Sequence, residues 1–558
     1  MSDGTLQAFD TENATILNEY FHSIFTHDDN ILPPFQERLS RPAEINDINI
    51  TQSIVYSHLS KLKTNSSCGP DSSPPFFKRC APSISHPLHV LFRSLLELHK
   101  LPAEWKLSII TPKFRKGSPS DPQNYRPISL TCTCCNVMES IITTDLLKFL
   151  STHHLLTKNQ HGFLKKHSTV TNLLESINDW TISLTNRKSV IIGYVDFQRA
   201  FDVICHSKLI HKLSGYGISG NLLLWIKAFL TNRFHCVKIN SIISSPLPVL
   251  SGVPQGSVLG PILFNLFIND ISDQFGPDAK TKLFADDLKI YTELSSLQSI
   301  MNFQKHLNIV YEWSSIWQLP ISYSKFNTLH IGSHPPSTKF YFSNTPIAHT
   351  CQIRDLGVLF DQNFKFSNHI YDIITRSKQR SCLIFKSFLS RNTPNLILAY
   401  KTYVRPLAEY ASSIWSPSLI NLINDIESIQ RNFTKRLPFY QDLPYSERLH
   451  KSGLQSLEHR RLIADLILCY NIINGNSAIN FDEIFKYSKN KTSRGHPFKL
   501  EIPFSRTNQR KSFFSHRVVP PWNSLSASVV LSTNPKSFKT ILAKQDLSNF
   551  LTFPTTLQ

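Results

Sequence analysis

Glycine is scarce: 17 in 558 residues, about 3% where roughly 7% is usual. That excludes collagen-like and glycine-rich low-complexity chains. Of the ten cysteines only Cys132 and Cys135 are spaced Cys-x-x-Cys, and the tight cluster Cys132, Cys134 and Cys135 that holds them has no matching pair elsewhere. This argues against a zinc site and for small buried thiols in a reducing compartment. No stretch approaches the ~18 uninterrupted apolar residues of a membrane span, so no membrane partner is expected. The opening residues MSDGTLQAFD hold neither a basic start nor an apolar run, so no signal peptide is expected. An intracellular protein is the expectation, with nucleus or cytoplasm undetermined. There is no internal repeat.

Negative charge is also in deficit. Lys and Arg number 59 against 40 Asp and Glu, a formal charge of +19. A globular chain this basic points to a polyanionic partner, nucleic acid above all. Apolar residues at 41% and 38 Phe exclude wholesale disorder. At roughly 150 residues per domain, the length suits about four domain-sized units.

Apolar periodicity predicts a short helix over Asn18–Phe25 and helices over 85–100, 258–268 and 457–474. A basic strand and loop is expected at Ile109–Gly117 and a buried strand at 190–197, ending in Asp196. In 282–292, two strand-like halves flank Asp286-Asp287, which predicts a hairpin with carboxylates at its tip. From about 370 the pattern is mainly helical. Strands followed by helices argue for an α+β chain. Should the two strands be neighbours, Asp196, Asp286 and Asp287 converge. Three carboxylates repel one another unless a cation lies between them, and carboxylate oxygens suit Mg²⁺. Two such ions suit phosphoryl transfer.

The surroundings of these acids resemble a known family. Phe284-Ala-Asp-Asp287 is similar to the catalytic hairpin of reverse transcriptases of non-LTR (LINE-type, jockey-like) retrotransposons. Asp196-Phe-Gln-Arg-Ala-Phe-Asp202 resembles their first metal-binding segment, and Leu250–Pro261 the segment between the two. Asn124–Leu130 and Gln160–Phe163 resemble their finger segments, and Lys63–Asp71 an N-terminal signature. Trp313–Gly332, Asp355–Val358, Tyr403–Tyr410 and Arg494–His496 resemble later segments, all in family order.

The resemblance implies a right-hand polymerase with fingers, palm and thumb and a mainly helical basic C-terminal region. The expected division is a linker-like segment 1–50, a fingers extension 51–92, the reverse transcriptase domain 93–361, a helical thumb-like region 362–480 and the basic region 481–558. Asp196 and Asp286 would bind two Mg²⁺ ions, with Mn²⁺ as the alternative metal and Asp287 assisting. Gln255 would touch the incoming nucleotide, Lys113 and Arg126 its triphosphate, and Lys325 would donate a proton to pyrophosphate. Phe201 would pack beneath the sugar and leave no room for a 2′-hydroxyl. The partners implied are an RNA template, a DNA primer or nicked target DNA, and dNTPs.

Residues 486–517 carry nine cations against Glu501 alone. Arg494, Lys499, Arg506, Arg510, Lys511 and Arg517 are candidates for duplex phosphates, with Phe513, Phe514 and Trp522 for stacking or packing. Removing 486–558 is expected to leave the palm folded. The family pattern is broken at Ser72, Cys68, Cys205 and Tyr323, but at no metal ligand. The family's upstream endonuclease is not found, and the first 45 residues resemble the linker that follows it, as in a truncated copy or a fragment of a longer reading frame. Two alternatives stand beside RNA-templated DNA synthesis. One is an RNA-dependent RNA polymerase, in which Asp202 would read a 2′-hydroxyl. The other is a silent palm repurposed to bind nucleic acid.

Overall fold

The computed structural model describes residues 9–38, 43–65, 69–71, 74–333, 338–489 and 495–553. Its centre is a five-stranded sheet in the order Ala348–Thr350, Asn327–Ile331, Ser189–Val195, Asp287–Leu294, Lys280–Phe284. Ser189–Val195 is antiparallel to both of its neighbours, and Val195 faces Leu288. The predicted strand ending at Asp196 and the predicted hairpin are therefore adjacent.

This strand is apolar on both faces because each face feeds a different core. Ile191 and Val195 point into a core with Phe303, Leu307 and Val310 of the helix Leu297–Ile316. Val190 and Ile192 point the other way, onto Leu173, Ile177 and Trp180 of the helix Thr169–Thr185. Strand alternation alone produces this division.

A second sheet runs Tyr125–Leu130, Leu107–Phe114, Arg233–Ile239, Ile242–Ile243, with Leu247–Val249 also pairing on Arg233–Ile239. The predicted helix near Asn18 is longer, spanning Asp10–Ser23, and buries Leu17 and Phe21 against Ile110 and Val237 of this sheet. Ile48 and Ile50 enter the larger core. The linker-like first 50 residues are thus anchored on the fold by Leu17, Phe21, Ile48 and Ile50, while Phe9, Ile31 and Leu32 stay exposed.

The helices Ser367–Ser387, Ile420–Lys435, Leu457–Ile473 and Phe514–Ser524 close over the second face of the central sheet. Phe513, Phe514 and Trp522 are 5%, 1% and 0% exposed. They are core residues, not stacking platforms. Because Trp522 and Trp180 share one core, residues 486–558 do not form a separable appendage. Their removal would open this shared core to water, which weighs against the expectation that the palm stays folded without them.

Among the described residues no helix is long and apolar enough to cross a membrane.

Candidate active site

The hairpin between Lys280–Phe284 and Asp287–Leu294 pairs Phe284 with Asp287, so Ala285 and Asp286 form its two-residue turn. Ala285 has φ +57°, a conformation a Cβ residue adopts rarely. The turn is held by Gln160, which is 1% exposed. Its Oε1 accepts from Ala285 N at 2.8 Å and its Nε2 donates to Ala285 O at 3.2 Å. Gly162 approaches so closely that a Cβ there would lie 2.4 Å from Ala285 N. The segment Gln160–Phe163 therefore clamps the acidic tip. The sequence pointed to the segment but not to this job.

Asp196 follows the central strand directly. Its backbone O accepts from Ser322 N at 2.8 Å, and Gln198 N donates to Pro320 O at 2.8 Å. These tethers bring in Lys325, whose Nζ lies 2.8 Å from Asp196 Oδ2. Tyr323, the departure from the family pattern, packs its ring on Phe342 and leaves the lysine in place.

The three acids share one end of the sheet, and Asp196 acts on both of the others. Burial pushes the Asp286 carboxyl up and Asp196 adds to it, against Arg126 and Arg115. Asp287 is pushed up to about 7, by burial first and then by Asp286, Asp355 and Asp196. Asp287 lines a cleft with Asp196 and Lys325 that continues to Lys289, Arg354 and Asp355. The carboxylates are near one another, but among the described residues no three acidic, His or Cys side chains form a ready ligand set. Asp196 turns to the Lys325 ammonium instead. A site that already draws a cation onto one acid and holds two more carboxyls above their usual range suits added positive charge.

Lys113 stands opposite Arg126 on the antiparallel pair Leu107–Phe114 and Tyr125–Leu130. Arg115 lies two residues on, beyond the end of this strand, where its N–H bonds Asn124 O at 2.9 Å. It feels Asp286, Asp202 and Asp196. Sequence reading passed over Arg115, although its spacing of two from Lys113 was the available signal.

Gln255 is fixed twice. Its backbone O accepts from Ser129 N at 2.8 Å, and its Nε2 donates to both oxygens of Asp202, at 2.7 and 2.8 Å. Burial drives the Asp202 carboxyl up to about 6, opposed by Gln255, Arg199, Arg126 and Arg115. Phe201 stacks on Phe264 with ring centroids 4.3 Å apart, and Phe163 meets its edge at 6.0 Å. Nearby, Glu139 is fully buried and accepts from Val258 N and Leu259 N, pinning the entry of the predicted helix Gly260–Ile268. Asp71 accepts in the same way from Thr133 N and Cys134 N at the start of the helix Thr133–Thr152, and Cys132 and Cys135 are buried there.

The C-terminal cations divide. Arg506 and Lys511 are exposed and Lys499 is half-buried. Arg510 instead donates to Asn178 Oδ1 and Thr181 Oγ1 at 2.8 and 3.0 Å. Arg517 pairs with buried Asp465 at 2.8 Å and donates to Ser512 O and Ser413 O. Their guanidinium groups are occupied inside the fold, which corrects their assignment to duplex phosphates. Arg494, like Cys68 and Ser72, lies outside the described residues.

Residues 113–363 match the family described as reverse transcriptase (RNA-dependent DNA polymerase). This chain carries a reverse transcriptase domain. The domain's relatives come from non-LTR retrotransposons. The probable RNA-directed DNA polymerase from transposon X-element of Drosophila melanogaster is 28% identical over 380 residues, covering 65% of this chain and 41% of the relative. The RNA-directed DNA polymerase from mobile element jockey of the same organism is 27% identical over 368 residues, covering 63% and 40%. That from transposon BS is 25% identical over 401 residues, covering 67% and 43%. The chain thus spans about two fifths of the length of these curated relatives.

Proposed function

We propose that this chain is the polymerase portion of a non-LTR retrotransposon protein. It copies RNA into DNA by transferring nucleotides from dNTPs to a primer 3′-hydroxyl, with the primer supplied by DNA or nicked target DNA. The observation that carries this reading is the meeting of Asp196 and Asp286-Asp287 at one end of the central sheet, with Arg115 and Arg126 acting on them from the second sheet. In this reading the central sheet is the palm and the second sheet belongs to the fingers. The helices from Ser367 onward form the thumb and its basic extension.

Asp196 and Asp286 would hold two Mg²⁺ ions, or Mn²⁺, with Asp287 assisting. Such ions activate the attacking oxygen and stabilise the leaving one. Arg126, Arg115 and Lys113 would steady the triphosphate, Arg126 through two oxygens at once. Phe201, backed by Phe264 and Phe163, would floor the sugar. Lys325 would stand beside Asp196 as proton donor to the pyrophosphate. Arg506, Lys511 and Lys499 are the cations proposed for duplex phosphates. All three carboxylates are present, which favours an enzyme over a silent palm.

Primer extension by the purified chain on an RNA template, with dNTPs and Mg²⁺, tests this. Asp196→Ala and Asp286→Ala should each lose at least ~10²-fold, since metal-held charge is a major electrostatic term. Parental rates in either variant would remove the assignment.

A further inference from the structure

The helix Asp10–Ser23 and the residues just after it reach beyond the sheet they cover. Leu17 and Phe21 supply the apolar anchor, and the polar side chains between and after them meet other segments. Asn18 is 2% exposed, and its Nδ2 donates to Ser245 O at 2.8 Å. One turn later, on the same face, His22 Nδ1 lies 3.0 Å from Pro248 O. A carbonyl oxygen only accepts, so this nitrogen carries the proton and donates. Beyond the helix, Thr26 N donates to Ser251 Oγ at 2.9 Å. The Ser251 hydroxyl in turn donates to Asp202 O at 2.7 Å. Positions 18, 22 and 26 thus fasten positions 245, 248 and 251, the run that enters the loop before the helix Gly260–Ile268.

Tyr20 holds a second segment. The Arg199 guanidinium stands over its ring, 4.7 Å from the centroid. Arg199 lies between Asp196 and Phe201 and has φ +47°, a conformation that a residue with a Cβ adopts rarely. An aromatic face beneath the cation helps to keep it there. The two fastened segments also touch each other. Gly252 N donates to Ile204 O and Val253 N to Phe201 O, each at 2.8 Å. One helix therefore grips both segments that the polymerase reading sets against the incoming nucleotide. None of these polar contacts is needed to bury the helix, since Leu17 and Phe21 do that.

We propose that the N-terminal helix is a positioning element of the nucleotide pocket, acting through Tyr20, His22 and Thr26. It fixes the segment after Asp196 and the loop after Leu247–Val249 relative to each other, and so sets the shape of the pocket between them. The helix touches no reacting atom; it works through Arg199, Pro248 and Ser251. This rests on the polymerase reading and deepens it. Loosening such a wall removes binding common to the ground and transition states, which raises KM and leaves kcat in place.

The test is steady-state primer extension on a fixed RNA template with dNTP varied. Tyr20→Leu combined with His22→Leu removes the ring face and the donor. KM for dNTP should rise at least about fivefold, with kcat within about twofold of the parent and primer–template affinity unchanged. Tyr20→Phe combined with His22→Gln keeps a ring and a donor, and should restore KM. A helix that only stabilised the fold would lower the active fraction, and so kcat, at constant KM. That result overturns the proposal, as does a conservative pair that is as impaired as the leucine pair. Ser251→Ala breaks the Thr26 link from the loop side with the helix unaltered, and should raise KM in the same direction. A parental KM in Ser251→Ala overturns the proposal even where the leucine pair does not fold. A parent that extends no primer at all defeats the polymerase reading instead.

Discussion

Lys325 places its ammonium 2.8 Å from Asp196 Oδ2, on the carboxylate that the polymerase reading gives to a metal ion. The pair is largely solvent-exposed on the lysine side, so its strength is that of a surface ion pair. Lys325 therefore competes with the ion for Asp196, weakly. Lys325→Met should lower the Mg²⁺ concentration for half-maximal extension about two- to fivefold, the range a surface pair of up to about 1 kcal/mol allows. Turnover at saturating Mg²⁺ should fall, because the proposed proton donor is gone. A half-saturating Mg²⁺ that rises or stays constant would show that the lysine does not compete.

Phe201 lies flat on Phe264, with Phe163 at its edge. Such a ring is held in place and does not yield cheaply to an extra hydroxyl. Phe201→Ala should leave DNA synthesis measurable and raise ribonucleotide use relative to deoxyribonucleotide use by about 10- to 150-fold. Unchanged discrimination in a variant that still extends primers would reduce Phe201 to core packing.

Gly162 is required by the backbone of the acidic turn. A methyl group there would meet Ala285 N at 2.4 Å, and backbone cannot rotate aside as a side chain can. Gly162→Ala should cost about 1–3 kcal/mol of stability and shift the turn that carries Asp286. Primer extension should drop at least about tenfold although every carboxylate is intact. Parental activity in Gly162→Ala would show that the turn tolerates movement.

Asp202 gives a pH signature. Its carboxyl is raised from 3.8 to about 6, mainly by burial. The unfolded chain loses this proton near pH 4 and the folded chain only near pH 6. Folded protein thus binds more protons between those values, and the parent's stability from this group falls as pH rises through that window. Above it the penalty is complete, about 2–3 kcal/mol. Asp202→Asn escapes it. Urea unfolding at pH 7.5 should show the variant more stable than the parent, with the difference closing toward pH 4. A variant equally destabilised at both pH values would contradict this.

Two cations in the basic region should behave oppositely. Arg517 is paired with Asp465, whose side chain is 2% exposed. Removing one member of a buried pair is costly, so Arg517→Ala should lose about 3–5 kcal/mol in urea unfolding. Lys511→Gln should leave stability alone and reduce the log–log salt slope of duplex binding by about 0.9 for each phosphate the lysine neutralises. An unchanged salt slope in Lys511→Gln would take it off the binding surface.

Local pattern determined a good deal of this protein. The alternating and continuous apolar runs located the strand before Asp196, the hairpin bearing Asp286-Asp287 and the helix after Gly260, because strand and helix periods are properties of neighbouring residues. The acids stood out through the segments around them, which resemble those of the family and follow its order. What the chain could not disclose were relations between distant segments. Nothing at Gln160 announces that its amide will hold Ala285, 125 residues away. Nothing local distinguishes Arg517 from Lys511: both are cations in one basic stretch, yet one lies against Asp465 and the other faces solvent. Nothing at Asp202 announces that its carboxylate will receive the Gln255 amide, 53 residues away. In each case a side chain's type states what it can bond, and only tertiary packing, by removing water and bringing a distant partner within about 3 Å, decides what it does bond.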